Sequence, residues 1–296
     1  MQPSKIFMMK MKQSIWKLWK SISHIVSVSF KSIFLIMSLL LEPLLVLLVS
    51  FTLLLHASST KLLIPSPILQ KEIMEPAIEG TKFVLMAAKE LGVKRLVITS
   101  SSVAIGPIPS WPADLIKNED CWTDVEYCKQ NKLWYPAAKT LAEKAAWEVA
   151  EEENLDVVVV NPGAAMGAIL PPTINSSMSL MLRLLQGCTE TYDEVYMGSV
   201  HVKDVALAHI LVYENPSAKG RHLCIESICH FSDFAAKVTE MYPEYQLPSL
   251  PKDTQPGLLR WKDPSKKLMD LGLQLTSVEQ IIKDSVESLK SKGFIS

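Results

Sequence analysis

Apolar and polar positions follow three different rhythms along the chain. Between Ile33 and Leu55 the run IFLIMSLLLEPLLVLLVSFTLLL carries Glu42 as its one charge. It is long enough to cross a bilayer as a helix, which needs about 20 apolar residues. Pro43 would kink such a span without forbidding it. A second structure fits part of the same run, because a central parallel strand also reads as unbroken apolar sequence and Val49 to Ala57 could supply one. After Ala57 the rhythm becomes helical and then extended. Residues 75–91 place Ile78, Val84, Leu85, Ala87 and Ala88 at helical spacing, Gly92 follows as a C-terminal cap, and Arg95–Thr99 reads as a strand. The cue repeats from Pro136 to Glu152, with Ala138, Leu141, Ala142, Ala145 and Val149 on one face, before the buried strand Leu155 to Val160. Helices that feed buried strands predict a parallel sheet covered on both faces.

Beyond Pro162 the texture is less regular. A helix is expected from Met178 to Gln186, and a second over Val205–Tyr213 with Asp204 as its N-cap. The segment from Ser277 to Lys292 is an amphipathic helix. His201 and His209 read as packing or surface residues. These boundaries predict a basic and hydrophobic segment over 1–56, a partial nucleotide-binding region over 57–165, and a mainly substrate-binding region over 166–296.

Charge sharpens the contrast between the ends. Lys5, Lys10, Lys12, Lys17, Lys20 and Lys31 face Glu42 alone in residues 1–55, a net of +5, so with the whole chain at −1 the remainder carries −6. That distribution offers no basic face for nucleic acid. The lysines put the N-terminus of a membrane span in the cytoplasm, and a single pass would carry the rest to the far side. A hairpin turning at Glu42-Pro43 would keep both ends cytosolic. A cleaved secretory signal fits less well, because the apolar stretch exceeds the usual length of roughly 7–15 residues. The expected location is therefore cytoplasmic, with membrane contact through residues 33–55. The five cysteines are odd in number and lack zinc-ligand spacing, so no metal site is expected and a reduced state is.

The chemistry concentrates in Trp134-Tyr135-Pro136-Ala137-Ala138-Lys139. Tyr135 and Lys139, four apart, share one helical face. An ammonium beside a phenol favours the phenolate and would pull the tyrosine below its ordinary pKa of about 10, allowing proton exchange with a carbonyl oxygen. Ile98-Thr99-Ser100-Ser101-Ser102 ends a strand, where open α/β sheets bind ligands, and Asn161-Pro162-Gly163 ends the next one. Three segments are thus expected at one cleft.

These residues carry a resemblance. EPAIEGTKFVLMAAKELGVKRLVITSS, CWTDVEYCKQNKLWYPAAKTLAEKAAWEVAEEENLDVVVVNPG, GSVHVKDVALAHILVYENPSAKGRHLC and KKLMDLGLQLTS make the chain similar to the plant cinnamoyl-CoA reductase-like and dihydroflavonol reductase-like branch of the extended short-chain dehydrogenases/reductases. The resemblance implies an α/β fold, an incomplete Rossmann-type parallel sheet with flanking helices plus a smaller substrate domain, preceded by the hydrophobic segment. It implies NADPH-dependent reduction of a small-molecule carbonyl. Ser101, Tyr135 and Lys139 match the family's catalytic residues, and Thr99, Ser100, Tyr135, Lys139, Pro162, Gly163, Ala164 and Ala165 its cofactor contacts. Cys121 and Cys128 match a family cysteine pair for which a redox link is conceivable, a reduced pair being favoured. Trp134-Tyr135-Pro136, in place of the Tyr-Cys-Tyr style signature of true cinnamoyl-CoA reductases, argues for an aromatic aldehyde or ketone over a CoA thioester. Leu53 to Ser59 resembles family strand four. Strands one to three have no counterpart, and neither has the GxxGxxG turn whose amides receive pyrophosphate, since Gly80 is the first glycine of the chain. NADPH is therefore expected to bind weakly. A non-catalytic membrane-tethered remnant and an incomplete gene model are the alternatives.

Overall fold

The computed structural model describes Leu47–Ser50 and residues 74–296, apart from residues 91, 111, 113–115, 171–173, 189–195, 246 and 248–262. In chain order its elements are β1 (Leu47–Ser50), α1 (Glu75–Glu90), β2 (Arg95–Thr99), α2 (Val125–Gln130), α3 (Trp134–Glu152), β3 (Asp156–Pro162) and β4 (Ala164–Met166). They continue as α4 (Ser176–Leu185), β5 (Tyr196–His201), α5 (Val202–Glu214), β6 (Gly220–Cys224), β7 (Ser227–His230), α6 (Phe231–Met241), α7 (Lys266–Asp270) and α8 (Val278–Ser291). The chain divides into two compact units. One takes the described residues up to Pro109 with Cys121–Val160 and Asn215–Arg221; the other takes Ser110–Asp120, Asn161–Glu214 and His222–Ser296.

The first unit is the expected parallel arrangement. It holds β1, β2, β3 as far as Val160 and the start of β6 to Arg221, from a four-stranded sheet of order β1-β2-β3-β6 in which β1 is parallel to β2 and β2 parallel to β3. Leu96, Val97 and Ile98 of β2 and Val157 to Val160 of β3 are all buried, which is why both strands read as unbroken apolar sequence. Leu96, Ile98, Val157 and Val159 pack with Leu85 and Ala88 of α1 and Ala146 and Val149 of α3. The buried face of α1 is Ala77, Thr81, Leu85 and Ala88, so Ile78 and Val84 lie off the expected stripe, partly covered. Gly92 adopts φ +68° after α1, its N–H reaching the Lys89 carbonyl while Val93 N–H reaches that of Ala88. That pairing satisfies two end-of-helix carbonyls and confirms the expected glycine cap.

β1 bears on the apolar run near the N-terminus. Leu47 to Ser50 pair with Leu96 to Thr99, residue for residue. This part of the run is a parallel strand, a few residues ahead of the expected Val49 to Ala57. The rest of residues 33–55, including Glu42-Pro43, lies outside the described residues, as does 51–59. Among the described residues, no helix is long and apolar enough to cross a membrane.

The second unit carries a three-stranded sheet, β4-β5-β7, with β4 parallel and β7 antiparallel to β5. Its core is built from Met178, Met181 and Leu184 of α4, Phe231, Phe234 and Val238 of α6, and Ile281, Ile282 and Val286 of α8. Ser277, the first residue of the expected amphipathic helix, caps α8 by accepting from Gln280 N–H. Asp204 does not cap α5. β5 runs straight into that helix, the His201 ring nitrogen accepts Lys203 N–H, and the Asp204 carboxylate binds Thr276 N–H and Oγ1 at 2.7 and 2.9 Å. His201 and His209 are both buried, with polar partners at Asp284 and the Val205 carbonyl.

Candidate functional site

The carboxyl end of β2 and the first two turns of α3 meet within the first unit. Pro136 is the third residue of α3, where backbone N–H groups have no intrahelical acceptor, so a residue without one costs nothing there. Tyr135 precedes it and Lys139 follows one turn later. Parallel pairing sets Thr99 beside Val160, and Ser100 N–H donates to the Val160 carbonyl at 2.8 Å, so β2 and β3 end at one edge.

Ser101 has extended backbone (φ −160°, ψ 154°) and caps a single turn of 3-10 helix over Ser102–Ala104, its Oγ accepting Val103 N–H at 3.4 Å. The same hydroxyl is hydrogen-bonded to that of Tyr135. Tyr135 keeps 38% of its residue surface exposed, while its hydroxyl is drawn away from water toward Ser101. Lys139 is 3% exposed, and its Nζ donates to the Thr99 carbonyl at 3.1 Å. Burial brings the Lys139 amine down to about 8, with the Glu143 carboxylate pulling the other way.

This arrangement corrects the expected electrostatics. Tyr135 is not drawn below its ordinary pKa by Lys139: burial raises it, and the bond to Ser101 only partly opposes that rise. The helical spacing predicts proximity, but removing the phenol from water outweighs a lysine whose ammonium is bonded to the strand end. The Tyr135 phenol is therefore held protonated at neutral pH.

The expected residues divide between the two units. Thr99, Ser100, Ser101, Tyr135 and Lys139 stand together in the first. Pro162 to Ala165 belong to the second, where Pro162 closes β3, Gly163 N–H donates to the Cys224 carbonyl at 3.1 Å, and Ala164 and Ala165 pair with Ser199 and Val200. Space at Gly163 is closed: a Cβ there would lie 2.2 Å from the Gly198 carbonyl oxygen. None of the five cysteines forms a disulfide, Cys121 and Cys128 included.

Two charged residues at the site have no place in the sequence expectations. Glu143 is 2% exposed; its carboxylate accepts the Ser100 hydroxyl and receives Arg221 Nε at 2.6 Å. Arg221, from β6, also donates to the carbonyls of Cys121 and Ala104 at 2.5 and 3.2 Å and lies 3.9 Å over the Trp122 ring. A signal for Glu143 exists, since Tyr135, Lys139 and Glu143 fall at successive four-residue steps and the glutamate interrupts an alanine-rich face. A cavity of about 10 Å³ is lined by Thr81, Ile98, Thr99, Ser100, Lys139, Ala142 and Glu143. Chemically, the cluster offers a protonated phenol, a hydroxyl bonded to it and a buried amine, a set suited to handing a proton to a carbonyl oxygen.

The model of the NAD dependent epimerase/dehydratase family matches residues 64–225. Cinnamoyl-CoA reductase 2 of Medicago truncatula is 43% identical over 225 residues, covering 76% of this chain and 67% of that protein. The crystal structure of vestitone reductase from alfalfa (Medicago sativa) superposes with a TM-score of 0.65 at 30% identity, over 79% of this chain and 75% of the other. Yeast methylglyoxal/isovaleraldehyde reductase complexed with NADPH superposes with a TM-score of 0.66 at 26% identity, over 77% and 73%. The chain thus spans about two thirds of the length of a plant reductase that it matches. Family model, plant relatives and reductase structures agree, and the chain belongs to the NAD dependent epimerase/dehydratase family, in its cinnamoyl-CoA reductase-like branch of extended short-chain dehydrogenases/reductases.

Proposed function

We propose that this chain is a carbonyl reductase that converts an aromatic aldehyde or ketone to the alcohol with NADPH. The observation that carries this reading is the hydrogen bond joining the Ser101 and Tyr135 hydroxyls, one helical turn from the buried Lys139 amine. Ser101 holds the substrate oxygen against Tyr135, and Tyr135, protonated at neutral pH, delivers the proton. The Lys139 ammonium lowers the cost of the phenolate left behind. A bound nicotinamide would supply the hydride. The donor set at the end of β2 fits the nicotinamide end of such a cofactor, whereas the sequence holds no glycine before Gly80 to bring backbone amides against a pyrophosphate. Trp134-Tyr135-Pro136 supports a free carbonyl over a CoA thioester.

The purified chain, supplied with NADPH and either a cinnamaldehyde or a cinnamoyl-CoA, tests this. Consumption of NADPH with the aldehyde is expected, falling about 10²–10⁴-fold in Tyr135→Phe. Calorimetric titration with NADPH is expected to show weak binding; a low-micromolar affinity would mean that another loop replaces the glycine turn. The missing glycines favour a second reading, a non-catalytic remnant. A folded chain that binds NADPH yet reduces neither substrate would establish it.

A further inference from the structure

A buried carboxylate is costly unless it is paired, and an apolar residue at such a place would pack at less cost. Glu143 is buried on α3, one turn from Lys139 and Thr140 on one side and from Ala146 and Trp147 on the other. Its partners are unusually complete. Arg221 Nε reaches Oε1 at 2.6 Å, Arg221 Nη2 reaches Oε2 at 3.4 Å, Trp147 Nε1 lies 3.5 Å from Oε1, and the Ser100 hydroxyl donates to Oε2. Arg221 is itself tied to the Cys121 and Ala104 carbonyls and rests on Trp122. The carboxylate is therefore fixed from behind, and its near side faces the strand end and the amine of the site.

We propose that Glu143, anchored by Arg221, is a positioning residue of this site: it pins Ser100 at the end of β2 and supplies the negative charge against which the Lys139 ammonium is held. The proposal rests on the reductase reading for its catalytic meaning, since a charged Lys139 matters only if Tyr135 gives up a proton. The charged and titratable groups around Lys139 are Glu143 and Tyr135 on its own helix, with Arg221 of β6 bound to the carboxylate of Glu143. β2 contributes the Thr99 carbonyl and the Ser100 hydroxyl, and α1 contributes Thr81. Of these, Glu143 favours the charged amine, opposing the burial that disfavours it.

Nuclear magnetic resonance on the full chain labelled with ¹³C-lysine tests the idea without relying on turnover. The Lys139 ε-carbon, identified by its loss in Lys139→Met, should titrate with a midpoint near pH 8. In Glu143→Gln the midpoint should fall by about one pH unit, because the opposing charge has gone while burial remains. A folded Glu143→Gln protein whose midpoint does not move would overturn the proposal, since a merely structural ion pair alters melting and leaves the amine alone. Should that variant not fold, the unsubstituted chain labelled with ¹³C-glutamate answers the same question. The Glu143 δ-carbon should step at the Lys139 midpoint, and a flat trace there overturns the proposal as well. A chain that shows this coupling but reduces no carbonyl would refute the reductase reading and leave the electrostatic link standing. One that reduces carbonyls without the coupling would do the reverse.

Discussion

A buried amine is harder to protonate than one in water, and Lys139 is brought from 10.5 to about 8 on that account. Below pH 8 the lysine is charged in both folded and unfolded chains, so the folded state bears the full penalty of burying the charge. Between about 8 and 10.5 the folded chain has lost the proton while the unfolded chain keeps it, and stability rises with pH. Lys139→Met, which keeps the stem and removes the charge, is therefore expected to be more stable at pH 7, by on the order of 3 kcal/mol. That advantage should shrink as the pH approaches 10.5; paired denaturant titrations would detect it, and a gap independent of pH would refute the assignment. Turnover runs the opposite way. If the ammonium supports proton delivery, kcat/KM falls as pH rises through about 8, and Lys139→Met lowers turnover about 10²–10⁴-fold. A more stable but inactive variant is the expected result, because the strained group is the working one.

Between elements, the tightest approach at a glycine among the described residues is that of Gly163, just before β4, to β5. A methyl group at Gly163 would overlap the Gly198 carbonyl, and one at Gly198 would press on the Ile225 side chain at 2.9 Å. Backbone has no rotamer by which to yield, so Gly163→Ala should destabilise the protein by about 2 kcal/mol or more, measured as a lower midpoint in urea. A neutral Gly163→Ala would mean that β5 can shift without loss. Local elements of this kind were largely legible in the sequence. Alanine and leucine spacing with Gly92 marks α1 and its cap, and Ser277 marks the start of α8. What local pattern could not supply is pairing at a distance. Asp204 has every feature of an N-cap, yet its partner is Thr276, 72 residues onward. The site divides in the same way. Tyr135 and Lys139 are visible from a four-residue spacing and Ser101 from its strand end, whereas Arg221 reaches Glu143 across 78 residues and leaves no trace along the chain.

At the scale of the molecule, β1 turns part of an apparent anchor into sheet. Its register sets Val49 beside Ile98, a buried core residue, and parallel strands are ordinarily covered on both faces. Val49→Asp is therefore expected to lower the thermal transition, by about 2 kcal/mol or more in stability. Were the run to act only as a membrane span, the same substitution would release the protein from a membrane pellet and leave the transition unchanged.

The network around Glu143 also carries a consequence for the order in which the chain can fold. Its parts come from Ser100, Cys121, Glu143 and Arg221, and the last of these is made only after Asn161–Glu214, all of which belongs to the other unit. Arg95 waits on the same stretch, since its guanidinium binds the carbonyls of Asn215 and Pro216. N-terminal units usually fold first as a chain is synthesised. Here the first unit emerges with the Glu143 carboxylate beside Lys139 but without its Arg221 partner, and it stays unfinished until residue 221 has left the ribosome. Completing it then requires closing a loop that spans much of the second unit, an entropic cost that only a late, long-range contact can repay. A ribosome paused before Arg221 should hold a first unit that is open to proteases, and one paused well after it should hold a first unit that resists them.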